Sequence, residues 1–244
     1  MKDLPLEGKT ILITGGARRL GRVFALATAR AGANIVLHYS SSPDLAEDVA
    51  AEIRSIGRKV VITRADFSNP AGVEEWSTTV WNLTPIDAIV NNAAIFEPLS
   101  FEHTSLEEWQ RHLNINLTVP FLLSKTFSAH LPQDKFGRIV NILDWRALRP
   151  GTDHFPYTIS KAALASLTKS LAQALAPRIT VNGIALGAIL PPSDHTMQTN
   201  LLASVPAGRW ADLDEVEQTL LFLLTGPSYI TGEVIHLDGG RHLV

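Results

Sequence analysis

Short apolar runs alternate with longer segments of helical periodicity along nearly all of the chain's 244 residues. Short apolar runs rich in Val and Ile are typical of strands buried on both faces, and such strands separated by helices predict a parallel sheet covered on both sides. We predict strands at Thr10–Ile13, Asn34–His38, Lys59–Ile62, Ile86–Val90, Arg138–Ile142, Ile179–Asn182 and Glu233–His236. The pattern therefore predicts an α/β fold, doubly wound, with about seven parallel strands.

Between these runs, apolar residues recur at the spacing of one helical face. We predict helices over Arg19–Ala31, Leu106–His130, Tyr157–Ala176 and Leu213–Leu224, and around Ala46, Val49, Ala50 and Ile53. No internal repeat or long linker interrupts the pattern, so we predict one domain over residues 1–244. Residues 186–209 form the longest stretch without regular patterning, and we predict that they form a lid beside the functional site.

Composition excludes several classes of function. The 21 Lys and Arg against 24 Asp and Glu give a net charge of −3, which argues against a nucleic-acid binder with a broad basic surface. Cysteine is absent, which excludes disulfides, thiolate metal sites and cysteine nucleophiles, and the histidines show no metal-ligand spacing. No apolar segment approaches the roughly 20 residues that cross a bilayer, and the first residues lack a secretory signal. We expect a cytoplasmic protein with no metal, nucleic-acid or membrane partner.

A glycine-rich segment, Thr-Gly-Gly-Ala-Arg-Arg-Leu-Gly at residues 14–21, lies between the first predicted strand and the first helix. Glycines there allow a tight turn and a close approach to phosphate, and the helix N-terminus offers unpaired N–H groups. A turn that serves packing alone is the alternative. We predict that this phosphate turn binds a dinucleotide through Gly15, Arg18, Arg19 and Leu20.

The end of the second strand indicates which dinucleotide. Folds that prefer NAD usually carry Asp or Glu there to hold the ribose 2′-hydroxyl, whereas this strand continues as His-Tyr-Ser-Ser-Ser at residues 38–42. Hydroxyls can donate to a 2′-phosphate, and Arg18 or Arg19 can supply positive charge. We therefore predict NADP(H), with His38, Tyr39 and Ser40 near the cofactor. The alternative is a serine-rich loop that only precedes a helix.

Tyr157 and Lys161 are four residues apart and therefore share one helical face. A nearby ammonium favours the phenolate and predicts a tyrosine pKa lowered from about 10 toward the working pH. Such a pair can protonate a developing alkoxide or amide nitrogen during hydride transfer.

Taken together, these residues resemble the short-chain dehydrogenase/reductase family. The matching positions are Thr14-Gly15-Gly16 with Gly21, Asp66, Asn91-Asn92-Ala93-Ala94, Asn116, Tyr157 with Lys161, and Asn182-Gly183 before Gly187. The resemblance spans nearly the whole chain in the family's order. It implies a Rossmann-type sheet of seven parallel strands, a nicotinamide cofactor and a homotetramer.

The family's roles map onto this sequence as expectations. The resemblance implies that Asp66 lies at the adenine, Asn92 at the ribose region and Ile189 at the carboxamide. It also implies that Lys161 holds the nicotinamide ribose and that Asn116 joins a water-linked proton relay. The further cofactor-binding positions that it implies are Phe67, Ala93, Ala94, Tyr157 and Gly187.

Two departures from the family pattern are informative. Asp144 stands thirteen positions before Tyr157, where the family usually has serine, and Arg19 stands where its phosphate turn usually has glycine. Both changes occur together in pteridine reductases, which this chain resembles more closely than the carbonyl-reducing branches. In those enzymes a pterin stacks at the position of Phe96, although ordinary packing is the alternative for this ring.

The leading hypothesis is an NADPH-dependent reductase of pterins or dihydropterins, dihydrofolate included. Tyr157 would donate the proton, Lys161 would adjust the pKa of Tyr157, and Asp144 would supply or relay protons. Arg19 and Phe96 would complete the substrate site. Two alternatives remain open. The chain could reduce a carbonyl substrate with Asp144 in place of the serine, or it could be a regulator that binds NADP(H) without turnover.

Overall fold

The computed structural model describes residues 4–190 and 202–244, and its strands form one sheet. The seven strands are β1 (Thr10–Ile13), β2 (Asn34–Tyr39), β3 (Val60–Arg64), β4 (Ala88–Asn91), β5 (Gly137–Asp144), β6 (Ile179–Leu186) and β7 (Val234–Leu237). All pair in parallel in the order β3-β2-β1-β4-β5-β6-β7. The predicted doubly wound sheet of seven parallel strands is therefore confirmed.

Helices cover both faces of this sheet. Within the described residues they are α1 (Arg19–Arg30), α2 (Pro43–Ser55), α3 (Pro70–Leu83), α4 (Leu106–Leu113), α5 (Val119–His130), α6 (Phe155–Leu175) and α7 (Leu213–Thr225). None of these described helices is both long and apolar enough to cross a membrane.

Most element boundaries differ from the sequence expectation by a few residues, and two of the differences bear on the site. The predicted helical region 106–130 is divided by a π-helical turn, Asn114–Thr118, between α4 and α5. Pro120 follows this turn, and a proline has no N–H to donate to the carbonyl four residues earlier, so the regular helix cannot continue through Asn116. Strands β5 and β6 also run further than predicted because they pair in register to Asp144 and Leu186.

The core lies on both sides of the sheet, as the apolar strands require. Along β1, Ile11 and Ile13 pack with α1, α2 and α7, whereas Leu12 faces the α3 and α5 side. Phe24 and Phe127 are the large, fully buried side chains of the two layers. Successive strand residues point to opposite faces, so a strand covered on both sides needs an unbroken apolar run.

The strand order fixes where a ligand can bind. Strand β1 lies between β2 and β4, so the chain connections leave β1 and β4 toward opposite faces and open a crevice at their carboxyl ends. The phosphate turn follows β1, Asn92 follows β4 and Asp144 ends β5. The predicted site residues therefore converge at one edge of the sheet.

Candidate active site

The phosphate turn requires glycine at two positions. Gly15 has φ +64°, and a Cβ built on Gly21 would lie 1.9 Å from the Gly15 carbonyl oxygen. No side chain fits that gap, because the conflict is with backbone. Helix α1 therefore packs directly onto the turn, which brings its first N–H groups to the crevice.

The start of α1 has the features of an anion site. Its N-cap, Arg18, makes no side-chain capping bond, and its first turn contains no acid. Helices α4 and α7 begin with capping boxes, in which Ser105 or Asp212 pairs with a glutamate three residues on, whereas α3 and α6 are uncapped like α1, so the glycine turn is what distinguishes the start of α1. Orphan N–H groups at a helix start attract phosphate, so the start of α1 fits a dinucleotide pyrophosphate.

Arg19 occupies a backbone conformation that favours glycine. Its φ is +49°, which explains why a glycine is usual at this position of the turn. The left-handed conformation costs about 1–2 kcal/mol for a residue with a Cβ. Such strain is characteristic of functional positions, and the Arg19 side chain is exposed beside the turn.

His38 supports the turn from below. Its Nδ1 accepts the Gly15 N–H at 3.1 Å, and its Nε2 donates to the Ala65 carbonyl at 3.2 Å. Its ring stacks on Phe67 with centroids 3.9 Å apart, and both side chains are buried. Burial lowers the pKa of His38 from 6.5 to about 4, so the ring is neutral at physiological pH. Both ring nitrogens of His38 are engaged by backbone, so its side chain supports the turn, and the predicted contacts of His38 and Phe67 with the cofactor stay predictions.

Asn92 joins the loop after β4 to the turn. Its Nδ2 donates to the carbonyls of Thr14 and Gly15 at 2.9 and 3.2 Å. The Thr14 Oγ1 in return accepts the N–H groups of Asn92 and Ala93 at 2.9 and 3.0 Å. The next residue, Ala94, is exposed. These hydrogen bonds hold the loop after β4 against the phosphate turn, where the sequence predicts the cofactor ribose.

The end of β2 presents hydroxyls and a cation that the sequence analysis did not identify. Tyr39 is half-buried, Ser40 is exposed, and the Arg64 Nε donates to the Ser40 carbonyl at 3.1 Å. Arg64 reaches this position because Tyr39 and Arg64 are partners in the β2–β3 register. Arg64 also helps to lower the pKa of nearby Asp66, although the main cause is the backbone hydrogen bond from Ser68. A cation beside hydroxyls, with no acid at the strand end, fits a ribose 2′-phosphate.

Asp144, Tyr157 and Lys161 converge beside the crevice. The Tyr157 hydroxyl donates to Asp144 Oδ2 at 3.1 Å, and the Lys161 Nζ donates to the Ile142 carbonyl at 2.7 Å. Tyr157 and Lys161 are buried, and Asp144 is half-buried at the end of β5. The carboxyl group that replaces the family's usual serine therefore contacts the phenol directly.

The protonation of this group differs from the sequence expectation. Burial, reinforced by the Asp144 carboxylate, raises the pKa of Tyr157 well above 10. Burial also lowers the pKa of Lys161 to about 8. The prediction that Lys161 lowers the tyrosine pKa toward the working pH is wrong for this arrangement, because desolvation and a nearby anion outweigh an ammonium bonded elsewhere. Tyr157 is a protonated phenol at neutral pH.

Asn116 occupies the middle of the π-helical turn and is fully buried. Its Oδ1 accepts the Ile95 N–H at 3.0 Å, and its Nδ2 donates to the Ile95 carbonyl at 3.1 Å and to Ser160 Oγ at 2.9 Å. Ser160 in turn donates to the Tyr157 carbonyl at 2.7 Å. The Asn116 side chain thus holds the loop after β4 against α6, and its part in a proton relay stays a prediction.

Tyr157 belongs to a group of four aromatic residues that we call the aromatic wall: Phe96, Trp145, His154 and Tyr157. Phe96 is 51% exposed and stacks on His154 with centroids 3.7 Å apart, while Tyr157 meets it edge-on at 4.6 Å. His154 has φ +49°, and its Nδ1 donates to the Glu97 carbonyl at 2.8 Å. Half of the Phe96 surface is exposed beside the phenol although the ring stacks on His154, so Phe96 is not a core side chain, and its role in stacking a substrate stays a prediction.

The predicted lid is only partly described. The Gly187 N–H donates to the Leu237 carbonyl at 3.0 Å, and Ile189 is buried in the core. On the far side, Val205 is buried and the Ala207 N–H donates to the Gly239 carbonyl at 3.0 Å. Both described flanks of the segment are therefore anchored to the chain's C-terminal part. The central portion, residues 191–201, lies outside the described residues.

Within the described ranges, no group of three or more His, Asp or Glu side chains could hold a metal ion.

Comparison with known proteins agrees with this geometry. A family model described as enoyl-(acyl carrier protein) reductase matches residues 15–242. The 3-oxoacyl-[acyl-carrier-protein] reductase of Synechocystis sp. is 34% identical, over 96% of this chain and 97% of that protein. The crystal structure of FolM alternative dihydrofolate reductase 1 from Brucella canis, complexed with NADP, is 35% identical with a TM-score of 0.87, covering 100% of this chain and 97% of that one.

A short-chain dehydrogenase from Burkholderia cenocepacia, also solved with NADP, is 31% identical with a TM-score of 0.90, covering 97% of this chain and 99% of that one. Three observations agree on NADP as the cofactor: the full-length similarity at this level, the uncapped start of α1 and the cation beside Ser40. The chain therefore belongs to the short-chain dehydrogenase/reductase family and is an NADP-dependent oxidoreductase.

Proposed function

We propose that this protein is an NADPH-dependent reductase of pterins and dihydropterins, of the dihydromonapterin, dihydrobiopterin or dihydrofolate type. The observation that carries the proposal is the 3.1 Å hydrogen bond from the Tyr157 hydroxyl to the Asp144 carboxyl. The similarity to the FolM alternative dihydrofolate reductase from Brucella canis supports the same substrate class.

The chemistry of a C=N bond suits this pair. Bound NADPH supplies a hydride to a ring carbon, and the adjoining ring nitrogen must gain a proton. Tyr157 remains protonated because burial and Asp144 raise its pKa, so its proton is available for transfer to that nitrogen. The Asp144 carboxylate contacts the phenol directly, and a proton that it takes up from solvent can pass to Tyr157 after each transfer. The hydrogen bond that Lys161 donates to the Ile142 carbonyl fixes its ammonium group near this pair.

A flat heterocycle also matches the side chains around the pair. The half-exposed Phe96 ring offers a stacking surface at the aromatic wall. The Arg19 guanidinium can donate to both a cofactor phosphate and a heterocycle edge, since its planar fork carries five N–H groups. Arg19, Phe96, Asp144 and Tyr157 are thus the substrate-binding residues of the proposal.

A second candidate function is reduction of a carbonyl substrate, which the similarity to the Synechocystis 3-oxoacyl-[acyl-carrier-protein] reductase favours. A carbonyl reductase benefits from a neutral hydroxyl that holds the substrate oxygen. An ionised Asp144 beside Tyr157 would instead repel the developing alkoxide. This electrostatic conflict is the reason to rank the pterin substrate first.

The deciding experiment follows NADPH absorbance with two substrate panels. One panel contains dihydromonapterin, dihydrobiopterin and dihydrofolate, and the other contains 3-oxoacyl thioesters and simple ketones. We expect turnover with the first panel only. Turnover of the second panel alone would replace the pterin proposal by the carbonyl one, and NADPH binding without turnover in either panel would overturn both.

Three further properties belong to the same proposal: a homotetramer, a cytoplasmic location and a substrate lid over residues 186–209 of a single domain spanning 1–244. The family resemblance supports the first, and light scattering of the purified protein tests it. A measured mass other than four chains would overturn it. Proteolysis with and without NADPH tests the lid, and we expect cofactor to slow cleavage within that segment.

A further inference from the structure

The Arg146 side chain connects the catalytic carboxyl group to its surroundings. Its Nη1 lies 3.5 Å from Asp144 Oδ1, and its Nε and Nη2 donate to Asp153 Oδ2 at 3.2 and 2.6 Å. Only 12% of the Arg146 side chain is exposed, against 54% for Asp153. The guanidinium thus lies between two carboxylates rather than in solvent.

Two aromatic rings hold the same guanidinium in place. Its Cζ lies 5.6 Å from the centroid of Phe96 and 4.8 Å from that of Trp145, both within the range of a cation–π interaction. Because arginine remains charged at every pH that the protein experiences, Arg146 places a permanent positive charge beside Asp144. The aromatic wall and the catalytic carboxyl are therefore joined through one residue.

The backbone N–H and the guanidinium of Arg146 both contact the Asp144 oxygen that does not face the phenol. Asp144 Oδ1 accepts the backbone N–H of Arg146 at 2.9 Å, in addition to its contact with the guanidinium. This leaves Oδ2 to accept the Tyr157 hydroxyl at 3.1 Å. The two carboxylate oxygens are thus divided between Arg146 and Tyr157.

We propose that Arg146, itself anchored by Asp153, is a positioning residue that orients Asp144 toward Tyr157 and whose fixed charge sets the pH range in which this pair transfers a proton. This inference rests on the proposed function, in which the pair protonates the reduced ring. Sequence alone does not point to it, because neither residue belongs to any motif in the chain.

Several charged or titratable groups act on Asp144 from the elements packed around it. They are Arg146 in the segment after β5, His154, Tyr157 and Lys161 at and within the start of α6, and Arg241 from the C-terminal turn, while Asp153 acts through its ion pair with Arg146. Arg146 is the cation among them that contacts the carboxylate. A test must therefore separate its charge from its packing.

Opposite charge changes on the two partners provide this separation. Arg146→Met removes a cation, so the Asp144–Tyr157 pair should keep its proton to higher pH, and we expect the basic limb of the kcat–pH profile to move up by about one pH unit. Asp153→Asn removes an anion and should move the same limb down. The second shift should be smaller, because Asp153 is more than half exposed and its charge is screened.

Two further variants complete the test. Arg146→Lys keeps the charge and loses the planar fork, so kcat should fall about tenfold with the pH profile unchanged. Arg30→Met breaks a remote ion pair of similar geometry, with Glu217 at 2.7 Å, and serves as the matched control that changes neither quantity. A purely structural role for Arg146 predicts the same direction of change in Arg146→Met and Asp153→Asn, or no shift in either, and that result would overturn the proposal.

A measurement without turnover keeps this inference separate from the proposed function. In the NADPH complex, carbon-13 NMR of labelled aspartate carboxyls, with Asp144→Asn to assign the signal, reports the titration midpoint of Asp144. We expect that midpoint to move up in Arg146→Met and down in Asp153→Asn, even if no pterin is reduced. Opposite shifts with no pterin turnover would refute the substrate proposal alone, whereas an unchanged midpoint in both variants would refute the role of Arg146.

Discussion

The phosphate turn and the aromatic wall lie at the same edge of the sheet but are built in different ways. The turn consists of backbone: Gly15 and Gly21 meet each other without side chains, and Asn92 bonds to carbonyls. The wall consists of side chains that come from separate segments of the chain, such as Phe96 and Tyr157. A cofactor that a large family shares can be bound by backbone, whereas recognition of a particular substrate depends on side chains. Substitutions should therefore damage the fold in the first region and the chemistry in the second.

The largest effect should follow from Gly21→Ala. The added Cβ would lie 1.9 Å from a backbone oxygen that cannot move alone, so α1 and the turn must separate. We expect a loss of about 3 kcal/mol in the free energy of unfolding, and roughly 100-fold weaker NADPH binding, since a displacement of about 1 Å can have that effect.

Gly72→Ala is the matched control for this change. Gly72 lies in α3, and its Cβ would meet nothing within 4 Å. Alanine is the better helix former, so this variant should gain up to about 1 kcal/mol and bind NADPH normally. Urea unfolding and NADPH fluorescence titration measure both quantities, and equal behaviour of the two variants would remove the backbone argument.

The next effect concerns pH and the support beneath the turn. His38 has a folded pKa of about 4 against 6.5 when unfolded, so above pH 6.5 it contributes nothing to the pH dependence. As the pH falls from 6.5 to 4, His38 binds a proton in the unfolded chain but stays neutral in the folded protein. The free energy of unfolding therefore decreases by about 3 kcal/mol over that window.

His38→Asn should flatten this loss, although its stability at pH 7 will be lower. Denaturant unfolding at pH 7 and pH 4.5 measures the slope. The exposed His130 provides the control, because His130→Asn should leave the slope as it is in the parent protein. A wild-type slope in His38→Asn would show that another group is responsible.

In the wall, Asp144→Ser should change the chemistry and spare the fold. The serine restores the hydroxyl usual in carbonyl-reducing relatives and removes the carboxyl group that contacts Tyr157. We expect kcat for pterin reduction to fall by about 100-fold with the NADPH dissociation constant nearly unchanged, and the melting temperature to fall only modestly through the lost contacts with Arg146. Steady-state kinetics and calorimetry test this, and unaltered pterin turnover would exclude Asp144 from the proton path.

The smallest effect sharpens the cofactor side of the comparison. Arg64→Gln removes the cation beside Ser40 but keeps a long polar side chain. We expect about fivefold weaker NADPH binding with NADH binding unchanged, the size of a partly exposed charge–phosphate contact. Competition titrations with the two coenzymes measure the ratio, and an equal loss for both would place Arg64 away from the 2′-phosphate.

Much of the cofactor region was predictable because its signals are contiguous. The turn lies within residues 14–21, and the missing acid follows one strand. Arg64 escaped prediction because only the β2–β3 register brings it to Ser40. The position of Asp144 beside Tyr157 was anticipated through the family's thirteen-residue spacing, but its anchor Arg146 was not, since ion pairs and ring contacts have no sequence signature.

The amino-acid sequence alone determined the seven-stranded parallel sheet, the phosphate turn and the edge at which the site forms. These features follow from backbone conformation and from apolar periodicity, which are properties of neighbouring residues. Only the tertiary structure decided the protonation of the site: Tyr157 holds its proton, Lys161 loses part of its charge, and His38 stays neutral. Each of these depends on desolvation and on distances between groups far apart in the chain, and neither quantity is encoded locally.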